Sequence, residues 1–484
     1  MSELAFLSAK ELAEKVASKK VGAVELLDHY LARVDKYNPK LNAIIAERRG
    51  EARKRAKEAD AALARGERWG PLHGVPMTVK ESYDVAGLPT TWGVPALKDA
   101  IAKSNAVVVD RLNAAGAVIF GKTNVPLLLG DFQSYNDVYG TTNNPWDVSR
   151  IPGGSSGGSA AALAAGLTGL EAGSDIGGSI RNPSHFCGVY GHKPTWGIVP
   201  MRGHAIMGVL TMADISVVGP LARSAEDLAL TLDCIAGPDL IQEPGWRLDL
   251  PAPHKTSLKD FRCAVWLSDP VCEVDRSVTD RLQGAIDKLA KAGAKIDDKA
   301  RPKFDARRAH ETFLKLMLGV VTSRSPIEAF ERAKAELAKL SPDDRSQGAM
   351  IVRATTLYHR DWIAENEMRT KLRWAWHEFF RDYDVVLTPM AAVPAFPHDH
   401  SPTSGPRTLK VNGKDVPYWD QLFWAGLSGL VYLPSTVAPA GLTPGKLPVG
   451  LQIIGPELGD RTTIEFARLA AREIGGFTPP PGYN

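Results

Sequence analysis

The sequence predicts an α/β fold with a large mixed, partly parallel central sheet covered by helices. Two observations lead to this prediction. Amphipathic helical segments alternate with apolar strand segments along the whole chain, and no internal repeat or low-complexity tract interrupts them. The 484 residues, of which 44% are hydrophobic, are enough for a sizeable core. We expect one domain over residues 1–484, although length alone would allow more.

The N-terminal segment, residues 1–66, is predicted to be helical. Ser8 and Glu11 match the capping-box pattern, and apolar residues at helical spacing predict two short amphipathic helices within residues 8–37. A third, highly charged helix is expected over residues 47–65.

Residues 67–235 are expected to form the core of the functional site. After PLHGVP, apolar and other residues alternate through VPMTVK, which is a strand pattern that ends at Lys80. A helix around residues 105–115 leads to the apolar run AVIF, and helices and strands continue to alternate to about residue 235.

The C-terminal half resumes the same alternation after a Pro-rich stretch at residues 237–259. CAVWLSD at 263–269 predicts a strand, residues 276–292 a helix and residues 295–297 a strand, and residues 303–382 predict several helices. The last segments with clear periodicity are the strands DYDVVLTP (382–389) and PVGLQIIGP (448–456) and the closing helix RTTIEFARLAAREI.

Charge, cysteine content and hydropathy argue against several classes of protein. The 58 basic and 55 acidic residues nearly balance, which gives no indication of nucleic-acid binding. The N-terminus lacks a signal-peptide pattern, and no apolar stretch reaches the roughly 18 residues of a membrane span, so we expect a cytoplasmic protein without a membrane partner. Without a CxxC pair, neither a disulfide framework nor a zinc site is indicated, and reduced core thiols are expected at Cys187, Cys234, Cys263 and Cys272.

Two short motifs match functional patterns without the structural context that those patterns need. GAVIFGKT, residues 116–123, matches the phosphate-loop pattern, but its four middle residues predict a strand instead of a loop. PGGSSGGSA, residues 152–160, contains Gly-x-Ser-x-Gly around Ser155, but a loop precedes it where a nucleophile elbow needs a strand. A nucleophile elbow also needs a later catalytic histidine, and none of His192, His204, His359 and His377 lies in a distinctive sequence context. The interpretation of Ser155 as an elbow nucleophile is weakened and stays open.

A second glycine-serine stretch, GSDIGGSIRNP at residues 173–183, indicates a nucleophile. Gly177 and Gly178 allow successive backbone N–H groups to converge on one anionic atom, beside the hydroxyl of Ser179. Taken alone, a glycine-serine run is more often a linker.

Lys80 is the candidate base for this nucleophile. An unperturbed lysine has a pKa of about 10.4, so burial must lower it by roughly three units before the amine is neutral at pH 7. Glu81 would oppose that shift if it faced the amine, but alternation along a strand directs it to the other side.

Taken together, these segments resemble the amidase signature family of serine amidohydrolases. The resemblance runs in the family's order from residue 74 to 456 and, with the flanking helices, covers nearly the whole chain. The matching segments are GVPMTVKE, GKTNVP, NNPWDVSRIPGGSSGGSAAALAAG, GSDIGGSIRNPSHFCGVYGHKPTWGIVP, GPLARSAEDLAL, DVVLTP and LPVGLQIIGP.

The resemblance implies a catalytic triad of Lys80 as general base, Ser155 as bridging serine and Ser179 as nucleophile. It also implies that the peptide between Gly154 and Ser155 is cis. The oxyanion donors would be the backbone N–H groups of Ile176, Gly177, Gly178 and Ser179. Support for the glycine-rich loop would come from Gly154, Ser156, Asp175 and Arg181. No metal or organic cofactor is implied, and the HDH run at residues 398–400 is interpreted as exposed loop.

The implied reaction is hydrolysis of a linear carboxylic amide through an acyl-enzyme on Ser179, with release of ammonia or an amine. Variable segments select the substrate in this family, and here they include a helical insert over residues 300–382. We expect the pocket to contain Leu129, Phe132, Gln133, Met207 and Trp419. Their largely apolar character favours an apolar or aryl acyl group.

Three alternatives remain open from the sequence. The first is the glutaminase-type A subunit of an aminoacyl-tRNA amidotransferase. The segment MRGHAIMGVLTMADISVVGP argues against it, because this segment is longer and more apolar than the corresponding segment typical of that subunit. The second is an esterase or carbamate hydrolase with the same triad. The third is an inactive binding protein, disfavoured because Lys80, Ser155 and Ser179 are all present. Members of the family commonly form homodimers, so the resemblance allows a homodimer here. The other partner that it implies is the small-molecule amide substrate.

Overall fold

The computed structural model describes residues 2–206, 208–344, 346–402 and 407–483. Its α-helices are α1 (Ala9–Ala17), α2 (Ala23–Leu41), α3 (Arg49–Ala64), α4 (Val107–Ala114), α5 (Gly157–Ala164), α6 (Arg181–Cys187), α7 (Ala225–Ile235), α8 (Arg276–Lys291), α9 (Ala306–Thr322), α10 (Ile327–Leu337), α11 (Gln347–Thr355), α12 (His359–Phe379), α13 (Leu422–Gly429) and α14 (Asp460–Ile474). Short 3-10 turns cover Ser2–Phe6, Pro95–Leu97, Leu127–Leu129, Leu258–Asp260 and Tyr418–Gln421.

The strands belong to two main sheets and two short hairpins. They are β1 (Ile44–Glu47), β2 (Pro76–Lys80), β3 (Val118–Thr123), β4 (Tyr135–Asn136), β5 (Gly140–Thr141), β6 (Glu171–Asp175), β7 (Tyr190–Lys193), β8 (Val217–Ala222), β9 (Arg262–Val265), β10 (Lys295–Asp297), β11 (Val385–Pro389), β12 (Thr408–Val411), β13 (Lys414–Pro417), β14 (Ser435–Leu442) and β15 (Pro448–Ile454).

The large sheet has the strand order β10-β9-β11-β15-β14-β7-β8-β6. Strand β9 runs parallel to β10 and β11, and the other neighbouring pairs are antiparallel. Helices α6, α8 and α14 pack on β14, and α7 packs on β8. The predicted mixed, partly parallel sheet covered by helices is therefore confirmed.

A separate three-stranded sheet, in the order β1-β3-β2, carries Lys80 at the end of β2. Strand β2 is parallel to β3 and also contacts β6, the edge strand of the large sheet. All five residues of β2 are buried, including the polar Thr78 and Lys80. The end of the Lys80 strand therefore lies in the interior, between two sheets.

The N-terminal helices agree with the sequence prediction in place but not in length. Ser8 and Glu11 close the capping box at the start of α1, with Ser8 N–H donating to Glu11 Oε2 at 2.8 Å and Glu11 N–H donating to Ser8 Oγ at 3.2 Å. Helix α2 extends over 19 residues, so the prediction of two short helices is wrong for the second one. Its apolar face is long because Leu26, Tyr30 and Val34 continue the helical spacing into the core.

The several helices expected over 303–382 are α9 to α12. Helix α9 packs against α11, α12 and α13, so this segment adjoins the last helix before β14. Within the described ranges, no helix is both long and apolar enough to cross a membrane. Cys187, Cys263 and Cys272 are buried free thiols, as expected, whereas Cys234 is only partly buried.

Candidate active site

Lys80 ends β2 beside two serine hydroxyls. Its Nζ lies 2.6 Å from Ser155 Oγ and 3.0 Å from Ser174 Oγ, and the side chain is fully buried. Burial lowers the pKa of Lys80 to about 7, so that much of the lysine is a free amine near neutral pH. The opposing influence, which raises this pKa, comes from the charges of Asp175, Glu171 and Glu81.

Glu81 is occupied away from the lysine amine. Its carboxylate accepts backbone hydrogen bonds from Thr91 at 2.5 Å and from Trp92 at 3.0 Å. The carboxylate therefore holds the 91–92 turn, in keeping with the opposite orientation that alternation predicts for Lys80 and the residue directly after it.

Ser155 sits in a tightly packed backbone turn before α5. The peptide between Gly154 and Ser155 is cis, as the resemblance implies. A Cβ atom on Gly154 would lie 2.3 Å from the carbonyl oxygen of Asp131 and 2.5 Å from that of Gln133. Because those neighbours are backbone atoms that cannot rotate away, only glycine fits at this position.

Ser179 is held next to this turn through its backbone. Ser156 N–H donates to the Ser179 carbonyl oxygen at 3.1 Å. Within the described ranges the Ser179 hydroxyl forms no hydrogen bond, to Ser155 or to any other group, and the residue is 7% exposed. Its hydroxyl is therefore the member of the predicted triad that remains open to a ligand.

An ion pair between Asp175 and Arg181 stabilises the glycine-rich turn. Both side chains are fully buried and form a two-point ion pair, with Arg181 Nε and Nη2 at 3.0 and 2.9 Å from the Asp175 carboxylate. Although burial opposes ionisation, the Arg181 guanidinium lowers the pKa of Asp175 to about 2. The same guanidinium also donates to Ser428 and Gln452, which ties the turn to α13 and β15.

One of the four expected oxyanion donors is already engaged. Gly178 N–H donates to Asp175 Oδ1 at 2.8 Å, and its role as an oxyanion donor stays a prediction. The carboxylate captures this N–H because Asp175 begins the turn and its side chain folds back beneath it, where it also accepts from Ile180 N–H. Within the described ranges the N–H groups of Ile176, Gly177 and Ser179 have no acceptor.

Three further residues belong to this cluster. Ser174 shares the lysine amine, and the Asn182 amide binds the backbone of Gly154 on both sides of its Cα, donating to its carbonyl oxygen at 2.7 Å and accepting from its N–H at 3.1 Å. Glu171 is a fully buried acid on β6 near Lys80. Ser174 and Asn182 lie in the glycine-serine stretch, but no spacing rule marks which of its polar side chains turn toward Lys80 and Gly154.

The expected pocket residues are only partly brought together. The Phe132 and Trp419 rings pack at 5.3 Å between centroids, and Leu129 is half-buried. The Gln133 amide is bound to the backbone of Asp399, with which it forms hydrogen bonds of 2.7 and 2.9 Å. Met207 lies outside the described residues.

Apolar side chains from the C-terminal half cover the glycines beside Ser179. A Cβ atom on Gly177 would lie 2.9 Å from Leu422 Cδ2 and 3.2 Å from Met317 Sδ. A Cβ atom on Gly178 would lie 2.9 Å from Met390 Cε. These three apolar side chains therefore lie against the two glycines that precede Ser179.

The two other motifs take the structures that their sequences predict. VIFGKT forms strand β3, which leaves no loop in which to bind a phosphate. Residues 142–154 are described in full and contain no strand directly before Ser155, so the nucleophile-elbow interpretation lacks its required context.

A histidine network elsewhere has the order of a hydrolytic triad but no access. His192 lies 2.9 Å from Thr436 Oγ1 through Nδ1 and 3.0 Å from Asp460 Oδ1 through Nε2. All three side chains are fully buried, so no substrate reaches them. In the HDH run, the His400 ring stacks on Tyr135 at 4.0 Å.

The chain is similar to known proteins along nearly its whole length. The profile of the Amidase family matches residues 25–464. The chain is 33% identical to the A subunit of glutamyl-tRNA(Gln) amidotransferase from Anaeromyxobacter sp. (strain K), over 99% of this chain and 98% of that one. It is 35% identical to indoleacetamide hydrolase of Bradyrhizobium diazoefficiens over 92% of this chain and 82% of that one.

A solved structure shares the fold. A bacterial aryl acylamidase of the amidase signature family superposes with a TM-score of 0.81 at 24% identity, over 99% of this chain and 97% of that one. The family itself is shown by the profile match over residues 25–464 and by the relatives at 33% and 35% identity. The chain belongs to the amidase signature family of amide-hydrolysing enzymes.

Proposed function

We propose that the protein is a free-standing amidase that cleaves a linear amide with an apolar or aryl acyl group through an acyl-enzyme on Ser179. Lys80 takes the proton of Ser155, Ser155 takes the proton of Ser179, and Ser179 Oγ attacks the amide carbonyl carbon. The proton returns through the same relay to the departing nitrogen, which leaves as ammonia or an amine. Water then hydrolyses the ester on Ser179.

The observation that carries this proposal is the 2.6 Å contact between Lys80 Nζ and Ser155 Oγ in a fully buried site. A base must lie within hydrogen-bond reach of the proton that it takes, and its pKa must lie near the working pH. Lys80 meets both conditions, since burial lowers its pKa to about 7. The open hydroxyl of Ser179, next to Ser156 and the turn, supports its role as nucleophile.

Backbone N–H groups would stabilise the negative oxygen of the tetrahedral intermediate. Ile176, Gly177 and Ser179 supply the donors, while Gly178 N–H holds Asp175 in place. By analogy with other acyl transfers, each such donor contributes about 3 kcal/mol to the transition state.

The acyl preference follows from the side chains beside the nucleophile. Met317, Leu422 and Met390 are apolar, and all three are buried. A polar acyl chain would lose its hydration there without a partner, whereas an apolar or aryl group would gain from burial. The similarity to indoleacetamide hydrolase, whose name specifies an amide with an aromatic indole group, supports the same preference.

A glutaminase-type component of an amidotransferase is the second candidate, favoured by the 33% identity to the A subunit of glutamyl-tRNA(Gln) amidotransferase. Glutamine carries a charged α-amino group and a charged α-carboxylate. Met317, Leu422 and Met390 supply no counter-charge for either group. The two functions differ in a simple assay: the purified chain alone should hydrolyse aryl or aliphatic amides faster than glutamine. Glutamine hydrolysis that appears only with a copurifying partner would instead identify the amidotransferase component.

The catalytic assignment is tested by a fluorophosphonate probe with location of the adduct by fragment mass spectrometry. Ser155 and Ser179 share the tryptic peptide between Arg150 and Arg181, so cleavage after Glu171 is needed to separate them. We expect the adduct on Ser179, and its loss in Ser179→Ala. An adduct on Ser155 with Ser179 unmodified would overturn the relay.

A further inference from the structure

Residues 131–134 form an irregular segment that lies directly against the cis turn, the backbone turn around the cis peptide between Gly154 and Ser155. The 131–134 segment runs between a 3-10 turn and β4, and all four of its residues are buried. A Cβ atom on Gly154 would lie 2.3 Å from the carbonyl oxygen of Asp131 and 2.5 Å from that of Gln133. The backbone of the segment therefore covers the residue directly before the bridging serine.

The hydroxyl of Ser134 attaches the same segment to both sides of the cis turn. It donates to the carbonyl oxygen of Gly153 at 3.0 Å and accepts from the N–H of Gly157 at 3.1 Å. Gly153 lies two residues before Ser155 and Gly157 two residues after it, so one side chain spans the stretch that contains the bridging serine. The position of Ser155 relative to Lys80 therefore depends on where this segment lies.

Residues of the C-terminal half hold the 131–134 segment from its other side. The Asp131 carboxylate accepts from Arg407 Nη1 at 2.7 Å and from the Tyr418 hydroxyl at 2.6 Å. The Gln133 side chain forms hydrogen bonds of 2.7 and 2.9 Å with the backbone of Asp399. Fixing an irregular backbone in one conformation costs conformational entropy, which contacts of this kind must offset.

The contact between Arg407 and Asp131 is a buried ion pair. The exposed fractions of the two side chains are 1% and 3%. The guanidinium is itself held in place, because Nε donates to Ser401 Oγ at 3.2 Å and Nη2 donates to the Tyr135 hydroxyl at 2.9 Å. Hydrogen bonds between ionised groups are stronger than those between neutral groups, so this pair determines where Asp131 lies.

We propose that Arg407 is a positioning residue that acts through Asp131. Their ion pair holds the 131–134 segment against the cis turn and thereby keeps Ser155 in place for the proton relay. This inference rests on the proposed function, because the relay gives Ser155 its role. Removal of the Arg407 guanidinium should slow the relay while every reacting group remains present.

A displaced Ser155 should slow the cleavage of an amide more than the cleavage of an activated ester. The nitrogen of a nitroanilide must take a proton from Ser155 as its C–N bond breaks, whereas nitrophenolate leaves an ester of the same acid as an anion. Because the two substrates share one acyl group, changes in the acyl pocket cancel in the ratio of their kcat/KM values. The fraction of folded enzyme cancels in the same ratio.

The test compares this amide-to-ester ratio in the wild type and in Arg407→Gln. We expect the ratio to fall by about tenfold in the variant, because a loosened geometry removes part of the general acid catalysis. Arg369→Gln is the matched control, because Arg369 is also buried and forms an ion pair at 2.8 Å with Asp214, which joins α12 to the residues before β8. The control should leave the ratio unchanged even where it lowers stability.

Tyr418→Phe is the second variant, which decides the matter if Arg407→Gln does not fold. It keeps the ring and the ion pair but removes the hydroxyl that donates to Asp131, so the ratio should fall by a smaller factor. A ratio that is unchanged in the folded variants, or that falls equally in Arg369→Gln, overturns the inference. Absence of fluorophosphonate labelling of Ser179 in the wild type overturns the proposed function instead.

Discussion

The side-chain amide of Asn182 holds Gly154 at both ends of the residue, donating to its carbonyl oxygen at 2.7 Å and accepting from its N–H at 3.1 Å. This amide links the start of α6, two residues after the Ser179–Ile180 peptide, to the residue before Ser155. Its position fixes the two serines of the proposed relay relative to one another.

Asn182→Ala should therefore lower kcat by about 10- to 100-fold, because the relay geometry loosens while substrate contacts remain. KM should change much less. Steady-state kinetics on a small amide checks this, with Asn38→Ala as control, since Asn38 forms comparable backbone hydrogen bonds with residues 43 and 44 instead of with Gly154. Equal losses of activity per folded molecule in both variants would contradict a positioning role for Asn182.

Lys80→Arg should lower kcat/KM by about a thousandfold or more, because a guanidinium stays protonated and cannot accept the proton of Ser155. In the wild type, kcat/KM should rise as pH increases through about 7, where the buried amine loses its proton. A pH series that spans about two units on either side of that pKa measures both effects. A wild-type profile without an acidic limb would contradict the assignment of Lys80 as base.

Asp175→Asn should destabilise the fold by about 3–5 kcal/mol, because it leaves the buried Arg181 guanidinium without its counter-charge. The pKa of Asp175 is about 2 when folded, below its unfolded value of about 3.9. The ion pair therefore contributes fully above the unfolded value, and its contribution is lost as pH falls toward 2. Urea unfolding at several acidic pH values should show a shallower acid dependence in Asp175→Asn than in the wild type.

Two glycine substitutions should have different effects, one on folding and the other on the substrate pocket. In Gly154→Ala the new methyl group meets backbone oxygens of Asp131 and Gln133 at 2.3 and 2.5 Å, so the chain should fold poorly. In Gly177→Ala it meets the ends of the flexible Leu422 and Met317 side chains, so the protein should fold but have a narrower pocket. Thermal unfolding and kinetics with small and large amides distinguish the two outcomes, and a reversed order of stability would be inconsistent with this packing.

Met317→Ala should shift selectivity toward larger acyl groups, since it opens space beside Gly177. A change of this size in an apolar pocket alters kcat/KM ratios by about tenfold or more. Leu316→Ala removes a similarly buried side chain from the same helix and serves as control for lost stability. Identical substrate ratios in Met317→Ala and the wild type would remove Met317 from the acyl pocket.

Much of the architecture follows from patterns within short stretches of the sequence. The apolar alternation before Lys80 predicts β2, and the capping box at Ser8 predicts the start of α1, because both depend on neighbours within one turn or strand. Only the family resemblance predicts that Ser155 and Ser179, in the two glycine-serine stretches, belong to one site. Their own spacing leaves a linker or an elbow open.

The remaining details depend on contacts between residues far apart in the chain. Leu422 and Met390 cover the glycines beside Ser179, and neither position carries a local pattern that would connect it with residues 177 and 178. The sequence predicts that Gly178 offers its N–H to an oxyanion, but the side chain of Asp175 folds back and binds it. Which of several equivalent donors a carboxylate captures depends on the turn geometry, which composition does not encode.

The placement of Lys80 on the three-stranded sheet, and of Ser179 just after the edge strand of the eight-stranded sheet, has a consequence for dissecting the enzyme. A break in the exposed turn at residues 148–149 would divide the chain so that one fragment keeps the lysine and the other keeps both serines. Neither fragment would hold the chemistry alone. Activity recovered on mixing the two fragments would be proportional to the number of correctly assembled molecules. This chain is therefore suited to a split-enzyme reporter.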